Sequence, residues 1–262
     1  MFAALSMIFA LTATAEPVAV AKGDQVDVEL VLAVDMSGSM DIEEARVQKQ
    51  GYIEALRHRE FVDAATGGLT GRIAISYVEW AGSVDQSSLV GWRVIANAAD
   101  AEAFASEIDA RPTATRRGTS ISNALDFATR LIVDNDYAGL RRVIDVSGDG
   151  PNNLGPPVTP ARDAAVRSGV IVNGLAIMIR PSGSGAGPSL DRYYADCVIG
   201  GPGAFVLPVH QAEDFAVAIR QKLIMEVSGL QPAPAPSVIP IADMGVSDCL
   251  IGEKLRPGFL DR

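Results

Sequence analysis

VLAVDMSGSM, residues 31–40, is an apolar run that stops abruptly at a cluster of oxygen-bearing side chains. Asp35, Ser37 and Ser39 fall at alternate positions just past a strand, ahead of an acidic helix start at Asp41. A second segment, VIDVSGDGP (residues 143–151), repeats the pattern and ends at Asp149-Gly150. Between them lies RRGTSISNALDFA (residues 116–128), in which Thr119 follows a glycine and opens a helix. Buried parallel strands read as near-continuous apolar runs, and α/β sheets bind ligands beyond the carboxyl ends of such strands. The two carboxylates and three hydroxyls form an all-oxygen set. With no thiol or imidazole among them, they favour Mg²⁺, Mn²⁺ or Ca²⁺ over Zn²⁺.

The rest of the chain keeps the same rhythm. Residues 26–34 read as a first strand, and residues 41–57 as a helix with Ile42, Ala45, Ile53 and Leu56 toward the core. Residues 72–80 form a second strand, with residues 88–95 as a shorter antiparallel edge beside it. Helices follow at 99–109 and 120–135, the latter with Ile121, Leu125, Ala128 and Ile132 inward. A strand at 141–147, a helix at 159–168, strands at 169–179 and 204–209, and a helix at 212–227 complete the alternation. This pattern predicts a three-layer, doubly wound α/β fold, with a mainly parallel six-stranded sheet and helices on both faces. It occupies residues 24–228 as one domain, which suits 262 residues of which 48 % are hydrophobic.

A net charge of −10 argues against a nucleic-acid or anionic-membrane partner. The basic pairs Arg116-Arg117 and Arg141-Arg142 read as ion-paired or solvated. Residues 1–15 (MFAALSMIFALTATA) carry no charge and end in a small-x-small pattern, the signature of a signal peptide for a periplasmic or secreted protein. The run is too short for a stable membrane span. Cys197 and Cys249 are the two cysteines, which in an exported protein allows one disulfide. If formed, it closes a loop worth about 4 kcal/mol of chain entropy. Residues 180–190 read as a Gly/Ser/Pro surface loop. Residues 229–262 read as a proline-rich linker and tail, strapped back onto the domain near Cys197.

With Asp35, Ser37, Ser39, Thr119 and Asp149 in this order, the chain resembles the von Willebrand factor A superfamily and its metal-ion-dependent adhesion site. The phrases YVEWAG (77–82), IDVSGDGPNN (144–153) and VIGGPGAFV (198–206) resemble an exported bacterial branch of that superfamily with a domain of unknown function. The resemblance implies that Ser37, Ser39 and Thr119 are direct hydroxyl ligands of Mg²⁺, Mn²⁺ or Ca²⁺. Asp35 and Asp149 then act directly or through water. Neutral hydroxyls leave the ion poorly neutralised, so an open position attracts a carboxylate presented by a protein partner. Helix capping is the plainer role for Ser37, Ser39 and Thr119.

Four neighbours are candidates for a supporting shell. Glu79 ends the second strand near the same rim, and Trp80 beside it reads as core. Asp145 sits within an apolar strand and requires a cationic or hydrogen-bonding partner. Asn152 and Asn153 follow Asp149 and either line the site or simply form its turn. Enzyme motifs are missing: His58 and His210 make no HExxH, and no GxSxG, Walker loop or GxGxxG occurs. Ser37 has no adjacent base, and phosphatases with an aspartyl nucleophile want a second acid where Ser37 stands. The sequence therefore reads as a binding protein, not an enzyme. Metal-assisted hydrolysis at the same cluster, or a structural subunit with a vestigial site, are the rival readings.

Overall fold

A computed structural model of the protein describes residues 23–38, 40–179, 189–229 and 247–255. The expected signal peptide, Ser39, most of the 180–190 loop and the proline-rich linker lie outside the described residues. Six strands form one sheet in the order β3-β2-β1-β4-β5-β6. They are β1 (Asp24–Asp35), β2 (Ile73–Trp80), β3 (Val84–Ile95), β4 (Tyr137–Gly148), β5 (Ile171–Ile177) and β6 (Val206–Val209). All neighbours pair in parallel except β3, which runs antiparallel to β2 at one edge. This is the doubly wound, mainly parallel sheet that the sequence predicts.

Side-chain alternation divides the core in two. From β1, Val28, Leu30, Leu32 and Val34 point to one face. There they meet α1 (Ile42–Arg57), α2 (Arg59–Thr66), α3 (Ala98–Asp109) and α7 (Phe215–Ser228). Val31 and Ala33 point to the other face, which α4 (Ile121–Val133) and α5 (Val158–Arg167) cover. The short α6 (Leu190–Tyr193), running into a π-turn at Tyr194–Val198, completes that second layer. Since β1 is buried on both faces, its later part, residues 30–34, is apolar without interruption.

Helix α1 starts where the sequence places it, because Asp41 closes a capping box. Asp41 Oδ1 accepts from the N–H groups of Glu43 and Glu44, and Glu44 Oε2 accepts from the Asp41 N–H at 3.0 Å. One expected core residue departs from prediction: Ile42, in the first turn, is 37 % exposed. Conversely Lys49, a charged residue of the same helix, is buried and bonds the Arg111 carbonyl at 2.6 Å. The expected helix at 212–227 is split into a 3-10 turn at Ala212–Asp214 and α7.

Cys197 and Cys249 form a disulfide with a Cα–Cα distance of 5.5 Å. It ties the short helix α8 (Ile251–Lys254) against the π-turn. Of the two basic pairs, Arg116 is ion-paired with Asp85, and Arg142 approaches Glu29 at 3.6 Å. Arg141 donates to the Glu226 and Val227 carbonyls at the end of α7. Among the described residues, no helix is long and apolar enough to cross a membrane.

Candidate metal centre

β1 and β4 lie side by side at the middle of the sheet, with Val34 opposite Ser147. After β1 the chain goes on to β2 on one side, and after β4 to β5 on the other. Their outgoing loops therefore part and leave a crevice at the carboxyl ends. Asp35, the last residue of β1, is fully buried there. Its Oδ1 accepts from the Ser37 N–H at 2.7 Å and its Oδ2 from Ser37 Oγ at 3.1 Å. Ser37 Oγ also lies 3.4 Å from Asp149 Oδ1, just past β4. Asp149 in turn donates its N–H to the Asp35 carboxylate.

Two carboxylates thus share one serine hydroxyl. Burial first, and then the charge of Asp149, push the Asp35 carboxyl well above the usual range. Among the described residues no Lys, Arg or His forms an ion pair with Asp35. A buried anion in this position is stabilised by a cation or is driven to take up a proton.

Backbone bonds knit three loops around this pair. The Arg116 N–H donates to the Met36 carbonyl at 2.9 Å, joining the Thr119 loop to the one after β1. The Asn153 N–H donates to the Thr119 carbonyl at 2.8 Å, joining it to the loop after β4. The fit is close enough that a Cβ on Gly82 would stand 2.6 Å from both the Arg117 carbonyl oxygen and Leu154 Cδ2. Gly118, at φ +83°, takes the left-handed turn just ahead of Thr119. Thr119 is almost wholly buried, yet the N-cap of α4 is Ser120, whose Oγ accepts from the Asn123 N–H at 3.4 Å. Capping therefore does not account for the Thr119 hydroxyl, which makes no hydrogen bond among the described residues.

The structure brings Asp35, Ser37 and Asp149 into contact and seats Thr119 on a loop bonded to both neighbouring loops. Ser39 lies outside the described residues. Of the supporting candidates, Asn153 bears on the site directly, since its Oδ1 accepts from the Thr119 N–H at 3.0 Å. Asn152 is turned away: it accepts from the Ser122 N–H and donates to the Pro156 carbonyl and to Glu253 Oε1. Glu79 pairs with Val34 in the β1–β2 register and accepts from the Tyr77 hydroxyl at 3.0 Å. It faces Lys49 at 3.3 Å under α1 instead of the crevice. Burial raises its carboxyl, and the Lys49 charge opposes that. Asp145 has the partners its burial demands, Lys222 at 2.5 Å and the Tyr52 hydroxyl at 3.4 Å, beneath α1 and α7.

Sequence reasoning missed Tyr194. Its hydroxyl is buried without a hydrogen-bond partner. Burial, followed by the charges of Asp35 and Asp149, pushes the phenol well above its usual range, so it keeps its proton and can act as a hydrogen-bond donor. Nothing in YYADC distinguishes it from Tyr193, whose hydroxyl accepts from the Asn152 N–H at 3.1 Å.

The residues present fit a hard divalent cation. The donors are oxygens, the two carboxylates repel each other, and the buried Tyr194 hydroxyl beside them has no hydrogen-bond partner among the described residues. Among the described residues no three His, Cys, Asp or Glu side chains gather as a metal cluster.

The family model described as "Protein of unknown function (DUF1194)" matches residues 25–231. The chain belongs to the DUF1194 family. No curated protein matches it in sequence. Among solved structures it is similar to the pilus adhesin SpaC from Lactobacillus rhamnosus GG in its open conformation. That match has 14 % identity and a TM-score of 0.55 over 79 % of this chain and 31 % of that one. Proximal thread matrix protein 1 from the mussel byssus also gives 14 % identity and 0.55, over 79 % of this chain and 48 % of that one. A von Willebrand factor type A protein from Catenulispora acidiphila gives 16 % and 0.51, over 78 % and 43 %. The chain spans a third to a half of the length of these proteins. The likeness establishes a von Willebrand factor A-like fold.

Proposed function

We propose that this DUF1194 protein is an exported binding module. In this reading the Asp35–Ser37–Thr119–Asp149 cluster, with Ser39, holds Mg²⁺ or a similar divalent cation and thereby recognises an acidic group on a protein partner. The observation that carries the reading is the shared Ser37 hydroxyl, lying between a buried carboxylate at the end of β1 and another just past β4. By donating its proton to Asp35, Ser37 leaves its oxygen lone pairs available to a cation. Asp35 orients that hydroxyl, Asp149 contributes charge from the opposite loop, and Asn153 fixes the height of Thr119. A bound cation would supply an open, electrophilic position for an anionic oxygen. A pilus adhesin shares the fold, and protein recognition is the corresponding part of the proposal. Export rests on the apolar residues 1–15, and the absence of a recognised catalytic motif favours binding over hydrolysis.

The test is capture from periplasmic extract, using protein whose intact mass begins at Glu16. Capture should vanish with EDTA and return with Mg²⁺ or Mn²⁺. Thr119→Asp adds a negative ligand that neutralises the ion's pull on a carboxylate, so a folded Thr119→Asp protein should capture at least tenfold less, roughly one lost charge-assisted contact. Capture equal to wild type by that variant, or in excess EDTA, would remove the cation from recognition. A mature chain still carrying Met1 would refute the processing.

A further inference from the structure

We propose that Tyr194 is a positioning residue of the cation site, donating its hydroxyl hydrogen bond to the Asp35 side of the cluster when a cation is bound. The inference rests on the cation reading above. Three observations lead to it, none of them part of the Asp-Ser-Ser-Thr-Asp pattern in the sequence.

The first is the hydroxyl itself. It is completely buried and makes no hydrogen bond among the described residues. Leaving such a group unpaired costs about 1–3 kcal/mol, and phenylalanine would fill the same space without that penalty. Tyr193, one residue earlier, shows the ordinary solution, since its hydroxyl is engaged by the Asn152 N–H.

The second is where the hydroxyl points. A Cβ built on Gly148 would lie 2.5 Å from Tyr194 Oη and 3.0 Å from Asp35 Oδ2. Both oxygens therefore border the same small space, which stays open only because residue 148 has no side chain. Oδ2 is also the oxygen that accepts from the Ser37 hydroxyl. A second donor at Oδ2 holds the carboxylate in place when the Ser37 oxygen turns its lone pairs to a cation.

The third is how rigidly the ring is held. Tyr194 opens a π-turn, its carbonyl accepting from the Ile199 N–H at 2.9 Å, and Cys197 in that turn is bonded to Cys249. The ring also packs on Gly174, where a Cβ would meet Tyr194 Cδ1 at 2.6 Å. π-type turns recur at functional sites, and this one begins at the residue whose hydroxyl borders the cluster.

Tyr194→Phe separates a positioning role from a structural one. In metal-free protein the melting temperature of Tyr194→Phe should equal or exceed that of wild type, because an unpaired buried hydroxyl is removed. Its Mn²⁺ affinity by calorimetry should fall about ten- to hundredfold, as loss of a hydrogen bond to a charged group does. Adding Mn²⁺ to wild type should also perturb the ultraviolet difference spectrum of tyrosine. That signal should be lost in Tyr194→Phe and kept in Tyr137→Phe, whose ring lies at the opposite end of β4. Unchanged Mn²⁺ affinity in Tyr194→Phe overturns the inference while leaving the cation reading intact. Lowered metal-free stability with unchanged affinity likewise makes the residue structural. Wild type that binds neither Mn²⁺ nor Mg²⁺ overturns the cation reading, and the role of Tyr194 with it.

Discussion

Asn153 holds Thr119 from both sides, accepting from its N–H at 3.0 Å and donating to its carbonyl at 2.8 Å. Asn153→Ala keeps the backbone bond and removes the side-chain one, leaving a near-buried N–H unpaired. It should cost about 1–3 kcal/mol in chemical denaturation and weaken Mn²⁺ binding through displacement of Thr119. Wild-type stability in that variant would show that the bond does not position the loop. The sequence marks Asn153 as a neighbour of the site but not as its brace, because Thr119 lies 34 residues away. Asp145 is similar. Its place in an apolar strand announces a partner, but the choice of Lys222 among 22 basic residues depends on how α7 crosses the sheet. Tyr194 is the extreme case, since an unpaired hydroxyl is a property of packing and leaves no mark in a local motif.

At the scale of elements, the longer strands and helices are legible because their apolar periodicity extends over several turns or alternations. The capping box at Asp41 marks the start of α1 in the same way. Helix α2, the short α6, the π-turn and α8 carry no such signature. They have eight, four, five and four residues, too few for propensity to specify a helix without tertiary contacts. Helix α7 carries a feature that periodicity hides. Lys222 and Glu226, one turn apart, face inward and pair at 2.5 Å. Around them lie Asp145 and Arg141 from β4, Tyr52 from α1 and Asn173 from β5. Burial, followed by the charge of Asp145, raises Glu226 to about 7 against the opposing pull of Lys222. The folded state then binds more protons than the unfolded state between the ordinary glutamate range and about 7. Stability from this group is therefore present at the acid end of that window and is lost as pH rises through it. Glu226→Gln should flatten this dependence, gaining on wild type as pH goes from about 5 to about 8 in parallel denaturation series. A constant difference between the two proteins across that range would show that Glu226 does not titrate there.

For the molecule as a whole, strand order is what makes the site. The alternation of strands and helices is enough to read a doubly wound sheet, and β1 and β4 are recognisable as the strands that end in oxygen clusters. That they are neighbours, with their loops diverging, follows from the central position of β1 between β2 and β4. No single segment states this order. It follows from which apolar faces pack together, Val34 with the α1 and α7 layer, Val31 and Ala33 with the α4 layer. The disulfide and α8 then close the far side of the crevice onto Asn152 and the π-turn. The central claim is that this junction of strands holds one divalent cation. Calorimetric titration of the purified protein with Mn²⁺ tests it most directly, with Ser37→Ala and Asp149→Ala measured in parallel. The account predicts one site per chain in wild type, with affinity at least about tenfold weaker in each variant. Binding of wild-type strength in both variants would contradict it.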